Sequence, residues 1–258
     1  MRRDLSALLV ALSLVLFTAA CGGGDDAPDA DAPADDAMAE AVTPAGSSVI
    51  AGAVSFTGTA PEPQPLNLDK ECEDLRDDPA LAQSVVVNDN GTLRWVFVYV
   101  KEGLEGQTFA TPTEPVVFDQ QGCMYTPHVF GVQTGQPIQI LNSDPLLHNI
   151  HALPEENRPF NFGMPRQGDE RTREFRTPEV MVRIKCDVHP WMSAYAGVLD
   201  HPYYATTGED GSFRIEGLPA GTYTVETWHE EYGTQTQQVT VGDGEEATAD
   251  FSYAGGTS

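Results

Sequence analysis

The stretch KCDVHPWMSAYAGV, residues 185–198, places Cys186, His189 and Met192 at intervals of three. A thiol, an imidazole and a thioether within seven residues are the soft and borderline donors that copper prefers. Upstream, GQPIQILNSDPLLHNIHALP, residues 135–154, supplies Asn142, His148 and Asn149. His148 lies 38 residues before Cys186, so the two can meet only where a fold brings separate strand ends together. If they meet, Cys186 as thiolate with His148 and His189 would make a trigonal plane of two nitrogens and one sulfur, and Met192 a weak axial ligand. Taken singly, each has a plainer reading: a core cysteine, a surface histidine, a methionine filling a gap. A zinc site of two histidines and one cysteine is the competing metal, but a methionine in fourth place argues for copper. A binuclear centre would need a second cysteine in the loop, and the loop has one.

The elements that must position these residues read as strands. VIAGAVSF and LRWVFVYV are rich in valine and aromatics, and the Asn-Gly within VVVNDNGTLRWVFVYV signals a hairpin between two apolar runs. PVVFD, HVFGVQ, PIQILN, TREF, EVMVRIKC and AYAGVLD are further strand candidates. The best helical stretch, LDKECEDLRDDPALAQ, predicts a turn or two. Toward the C-terminus, SFRIEGL and TYTVETW alternate between Asp-Gly and Pro-Ala-Gly turns. The sum is an all-β protein with two or more packed sheets.

The chain opens MRRDLSALLVALSLVLFTAAC, a charged start, an apolar run and small residues before Cys21. The apolar run is short of the roughly 20 residues that span a bilayer. Residues 1–20 therefore read as an export signal, and TAAC resembles a lipobox, which makes Cys21 the expected lipid-anchor site. Residues 21–48 follow with seven acidic and no basic residues, an expected disordered linker. These features predict a place at the periplasmic or extracellular face, tethered to a membrane. With Cys21 and Cys186 assigned, a bridge between Cys72 and Cys123 is the simplest pairing in a compartment where disulfides persist. Net charge is −25, with three lysines against eleven arginines, which argues against nucleic acid as a partner. Acidity of this kind either steers a basic partner or is a generic surface property.

Val116 to Leu199 resembles a cupredoxin, and within that family the short-loop amicyanin type. Asn142 and His148-Asn149 match its first ligand segment, and Cys186, His189-Pro190, Trp191 and Met192 match its C-x-x-H-P-aromatic-M loop, with tryptophan where phenylalanine is usual. The resemblance implies a Greek-key β-sandwich over residues 113–203 with one mononuclear type 1 copper held by His148, Cys186, His189 and Met192. Around it, Asn149 would bond across to the ligand loop, and Pro190 would stiffen that loop. Gly208, Asp210-Gly211, Phe213, Gly217-Leu218-Pro219, Gly221 and Tyr223 resemble the carboxypeptidase regulatory-like domain, which implies a transthyretin-type sandwich over residues 204–253. Its missing strands would come from residues 49–112, with the copper-type sandwich inserted between them; the alternative is two sandwiches in tandem.

The function this implies is a blue copper protein that passes single electrons to a redox partner such as a c-type cytochrome or a respiratory complex, with no organic substrate and no enzymatic activity. The edge of His189, with Pro190 and Trp191, is the expected solvent-facing exit. Alternatives are copper sequestration or delivery, and surface binding through the transthyretin-like part, where Trp228 would matter if exposed. His151 reads as a solvated strand residue or a neighbour of the site. His128, His201 and His229 have no ligand spacing and read as structural or surface residues.

Overall fold

A computed structural model describes residues 46–255, which are almost wholly β. The expected export signal, Cys21 and all but the last three residues of the expected linker lie outside them. The first strand begins inside that linker, at Ser48, whose buried hydroxyl donates to the Gly242 carbonyl at 2.6 Å.

In chain order the elements are β1 (Ser48–Thr57), α1 (Lys70–Glu73), β2 (Phe97–Glu102), β3 (Val116–Gln121), β4 (Met124–Thr126) and β5 (Val129–Gln133). Then come β6 (Ile138–Asn142), β7 (His148–Leu153), β8 (Phe160–Met164), β9 (Asp169–Arg173), β10 (Glu179–Lys185) and β11 (Ser193–Leu199). The last are β12 (Tyr204–Thr206), β13 (Ser212–Leu218), β14 (Gly221–His229), β15 (Gly233–Val241), β16 (Glu246–Thr248) and β17 (Phe251–Ala254).

Strands β3 to β11 form one sandwich, with sheet orders β5-β11-β10-β7-β8 and β4-β3-β6-β9. Alternation sets its inner face: in β6, Ile138, Ile140 and Asn142 are buried while Gln139 and Leu141 are half-exposed. Its core runs from Phe118 and Tyr125 through Ile150 and Phe175 to Val182 and Ile184. This ligand sandwich is contiguous in sequence. The outer sandwich is split around it. β1 pairs antiparallel with β13 and parallel with β16 and β17, while β2 pairs with β12 and β14, and β15 closes that sheet.

Two departures from the sequence reading have local causes. The Asn-Gly turn forms, with Gly91 at φ 79° and Asn88 N–H donating to Thr92 O at 2.8 Å. The flanking runs do not ladder into a hairpin, because the second run swings away at Trp95 (φ 64°) to join β12 and β14; a single bridge, Val87 to Leu93, remains. The strand expected at TREF sits earlier, over β9, and Phe175 beyond it is instead a buried core residue.

The two sandwiches meet where glycine leaves room for an aromatic ring. Gly131 on β5 and Gly197 on β11 are register partners. A Cβ on Gly197 would lie 2.4 Å from the Phe97 ring, and one on Gly131 would lie 2.2 Å from Tyr204. Phe97, Tyr99, Val129 and Leu199 are buried there, with Trp228 packed against Tyr195 at 4.9 Å between ring centroids. Trp228 is therefore part of a junction and not a free binding residue. Gly197→Val should drive a branched side chain into the Phe97 ring and lower stability by about 1–3 kcal/mol, the cost of overpacking a close-packed core. Denaturant unfolding checks this; an unchanged midpoint would mean that the ring is not seated on these glycines.

Candidate metal centre

The site is built at one end of the ligand sandwich by two connections. The first is the β6–β7 loop. Asn142 organises it: its amide donates to the carbonyls of Leu146 and Met164, both at 2.9 Å, and its Oδ1 accepts the Asp144 N–H at 3.1 Å. His148 then opens β7, fully buried. The second is the β10–β11 loop, residues 186–192. Cys186 N–H donates to Met192 O at 3.1 Å, and Met192 N–H donates to His189 O at 3.0 Å, so the loop closes on itself. His189 N–H reaches the Cys186 sulfur at 3.3 Å. Pro190 follows, lacking a donor and limiting the backbone at the turn.

The two connections are tied together by Asn149, whose Oδ1 accepts the Asp187 N–H at 2.5 Å while its Nδ2 donates to Asn161 at 2.5 Å. His151 is half-exposed, with Nδ1 2.9 Å from a carboxylate oxygen of Asp187. It steadies the residue next to Cys186. Neither of these contacts reaches the ligand atoms themselves.

His148, Cys186 and His189 come together. One ligand atom from each lies within 4.8 Å of the others, and all three residues are buried. The Nδ1 atoms of the two imidazoles face each other at 2.9 Å, and Cys186 Sγ is 3.9 Å from the His189 Nδ1. Met192 is fully buried in the same core cluster as Cys186. Three donor atoms, two nitrogens and a sulfur, converge in a buried pocket, with the two nitrogens at hydrogen-bond distance. Donors of these types could hold a soft or borderline metal ion.

Electrostatics favour the ligand states of Cys186 and His189. Burial pushes the Cys186 thiol up, but the hydrogen bond with His148 and backbone N–H groups, that of His189 first, outweigh it and hold it below its ordinary value. Burial and the neighbouring His148 hold His189 below its usual range, toward neutral imidazole. His148 moves the other way: burial lowers it, and Asp144 and Cys186 more than reverse that.

Asp144 is the residue that sequence reasoning missed. Its carboxylate is buried, 2.8 Å from His148 Nε2, and it accepts the N–H groups of Gly122 and Cys123 at 2.7 and 2.8 Å. Burial would raise it, but His148 and the two N–H groups hold it below the usual carboxylate range. The available signal was its place four residues before His148. Tyr125 was missed too; its hydroxyl donates to Asn149 O at 2.5 Å, and burial and then Cys186 push its pKa up.

Cys72 and Cys123 are joined by a disulfide with Cα atoms 5.7 Å apart. It ties the α1 segment to the β3–β4 turn beside the site. Both sulfurs lie within 4.8 Å of a His189 nitrogen. Trp191 is half-buried; its indole N–H donates to Cys123 O at 3.0 Å and its ring lies 5.1 Å from His189. This corrects the expected solvent-facing exit. His189 is only 5% exposed, because the α1 segment lies over its outer edge.

The remaining histidines stand outside the site and are buried: His128 against Glu230 at 2.5 Å, His201 stacked on Tyr203, and His229 on Tyr232.

Residues 195–254 match the family model of the carboxypeptidase regulatory-like domain. That match starts nine residues before the boundary expected at 204, within β11, whose backbone pairs with β10 and β5 of the ligand sandwich. No curated protein sequence matches the chain. Among solved structures it is similar to a copper-containing nitrite reductase from Thermus scotoductus SA-01, at 20% identity and a TM-score of 0.30, over 38% of this chain and 25% of that one. It is similar to a purple cupredoxin from Nitrosopumilus maritimus, at 19% identity and a TM-score of 0.27, over 32% of this chain and 98% of that one. An amicyanin variant in its reduced Cu(I) form gives 17% identity and a TM-score of 0.30, over 39% of this chain and 97% of that one. The chain thus spans a quarter of the nitrite reductase's length and nearly all of the other two. Residues 195–254 are thus similar to the carboxypeptidase regulatory-like domain, and the solved structures that the chain resembles include a purple cupredoxin and an amicyanin.

Proposed function

We propose that this chain holds one type 1 copper and carries single electrons outside the cytoplasm, tethered to a membrane through Cys21. The observation that supports it is the buried convergence of two imidazoles and a thiol: His148 at the start of β7 meets His189 and Cys186 of the loop that also carries Met192. Bound there, copper would supply a one-electron couple that a constrained soft-donor set holds in both oxidation states.

The chain's own residues do the rest. Asn142 and Asn149 fix the two ligand-bearing connections, the closed 186–192 loop keeps its donors in place, and the surrounding core excludes water. A site fixed in this way changes little between oxidation states, which suits electron transfer. Delivery of the metal fits less well, since release needs access and His189 is enclosed. The same enclosure suits a carrier better than an enzyme acting on an organic substrate. With a net charge of −25, its partner is a basic redox protein such as a c-type cytochrome. Leu147 and Val188, next in sequence to the two histidines, are 46% and 45% exposed and give such a partner apolar surface close to the ligands.

The copper-loaded protein should show an intense thiolate-to-copper absorption band, and Cys186→Ser should abolish the band while leaving the far-ultraviolet circular dichroism of the β fold unchanged. A colourless copper-loaded protein would sink this reading. Met192→Leu should keep the band and raise the reduction potential, because the thioether donates weakly to the oxidised metal and its loss destabilises that state more. An unchanged potential, measured by voltammetry, would show that Met192 is not the axial ligand.

A further inference from the structure

Each imidazole of the centre has a carboxylate at its far nitrogen. Behind His148 stands Asp144, with its oxygen 2.8 Å from Nε2. Behind His189 stands Asp69, with an oxygen 3.6 Å from Nε2. The first belongs to the ligand sandwich. The second comes from outside it, on the strap that precedes β2. Three contacts fix that strap: Leu68 packs against the ligand core, Cys72 is bridged to Cys123, and Arg76 Nη1 donates to Gly122 O at 2.9 Å. Asp69 is itself held, since its other oxygen caps α1 by accepting the Cys72 N–H at 3.0 Å. The disulfide therefore sets the position of a charge and does more than close a loop.

We propose that Asp144 is a positioning residue of the copper centre, which holds His148 with Nδ1 turned inward, and that Asp144 and Asp69 together place two negative charges behind the ligands to favour the oxidised metal. The inference rests on the copper reading above. A carboxylate that takes up the outer N–H of a ligand histidine fixes ring orientation and raises ligand basicity. A nearby anion also stabilises whichever metal state carries more positive charge. The two contributions differ in size. Asp144 is 5% exposed in its side chain and within hydrogen-bond distance, whereas Asp69 is 52% exposed and just beyond it, so solvent screens its charge. Asp144 dominates, and Asp69 trims.

The test is voltammetry of the copper-loaded full chain, with competition titrations for Cu(II) and Cu(I). Asp144→Asn should shift the equilibrium toward the reduced metal by roughly tenfold, which is about 59 mV for a one-electron couple. Asp69→Asn should shift it the same way by less. Both should weaken Cu(II) binding while leaving Cu(I) binding nearly unchanged, a split that mere loss of packing would not produce. Replacing Cys72 and Cys123 together by Ala frees the strap and should match Asp69→Asn. Adding Asp69→Asn to that variant should give no further rise, since the two changes act through one contact. If Asp144→Asn folds poorly, Asp144→Ser is the second neutral variant that tests the Asp144 role, and the strap variants test Asp69 on their own. Blue protein whose potential ignores both Asp69→Asn and strap release would overturn the role of Asp69. An unmoved potential in Asp144→Asn as well would overturn the whole proposal. Failure of the wild type to form the charge-transfer band is a different result: it removes the copper reading, and this inference with it.

Discussion

Burying His148 is the constraint on which the rest of the site depends. A fully enclosed imidazole must satisfy both ring nitrogens without water, because an unpaired buried polar atom costs about 1–3 kcal/mol. One nitrogen turns to His189 and the other to Asp144. That choice brings a carboxylate into the core, and the carboxylate needs donors in turn. It finds them in the N–H groups of Gly122 and Cys123, at a turn where both residues adopt positive φ (61° and 55°). A strained turn, a buried acid and a ligand histidine are thus one arrangement. Cys123 then bridges to Cys72, which carries the same chain of dependence out to the strap over His189.

Part of the candidate site was legible in sequence because its information is local. Cys186, His189 and Met192 sit within one loop, where residue type and spacing show them; bringing His148 to that loop rested on the resemblance to the amicyanin-type motif. The parity of cysteines likewise pointed to the Cys72 and Cys123 pairing. What escaped was anything carried by contacts between distant segments. Asp144 looks like an ordinary turn acid until the β6–β7 loop folds it inward. Asp69 is 120 positions from the histidine it faces, and no periodicity links them. The exposed edge expected at His189 failed for the same reason, since the covering segment belongs to another part of the chain. The hairpin expected around Asn-Gly failed differently. Local turn chemistry was correct, but the second strand gains more by lying between β12 and β14 than by pairing with its neighbour.

Enclosure changes how the centre relates to its surroundings. Under the proposed function, an electron carrier needs a thin barrier at one place and insulation elsewhere. The strap covers the His189 edge, while the apolar side chains of Leu147 and Val188, next in sequence to the two histidines, stand at the surface. The strap carries Asp69 and Glu71 toward His189 of the same loop, so the covering segment is itself charged.

The split of the outer sandwich fixes an order of assembly. β1 and β2 are synthesised first, yet the partners of β1 (β13, β16 and β17) and of β2 (β12 and β14) come last; Ser48 bonds to Gly242 across 194 positions. Closing so long a loop is slow, and contacts of high sequence separation delay folding. The ligand sandwich has its strands contiguous in sequence and can condense while β1 and β2 still have open edges. Those edges are exposed hydrogen-bonding surfaces of the kind that templates aggregation. The flanking segments reach the ligand sandwich through Phe97 and Tyr204 on the Gly131–Gly197 face, so a sandwich that condenses first would give them a surface on which to pair.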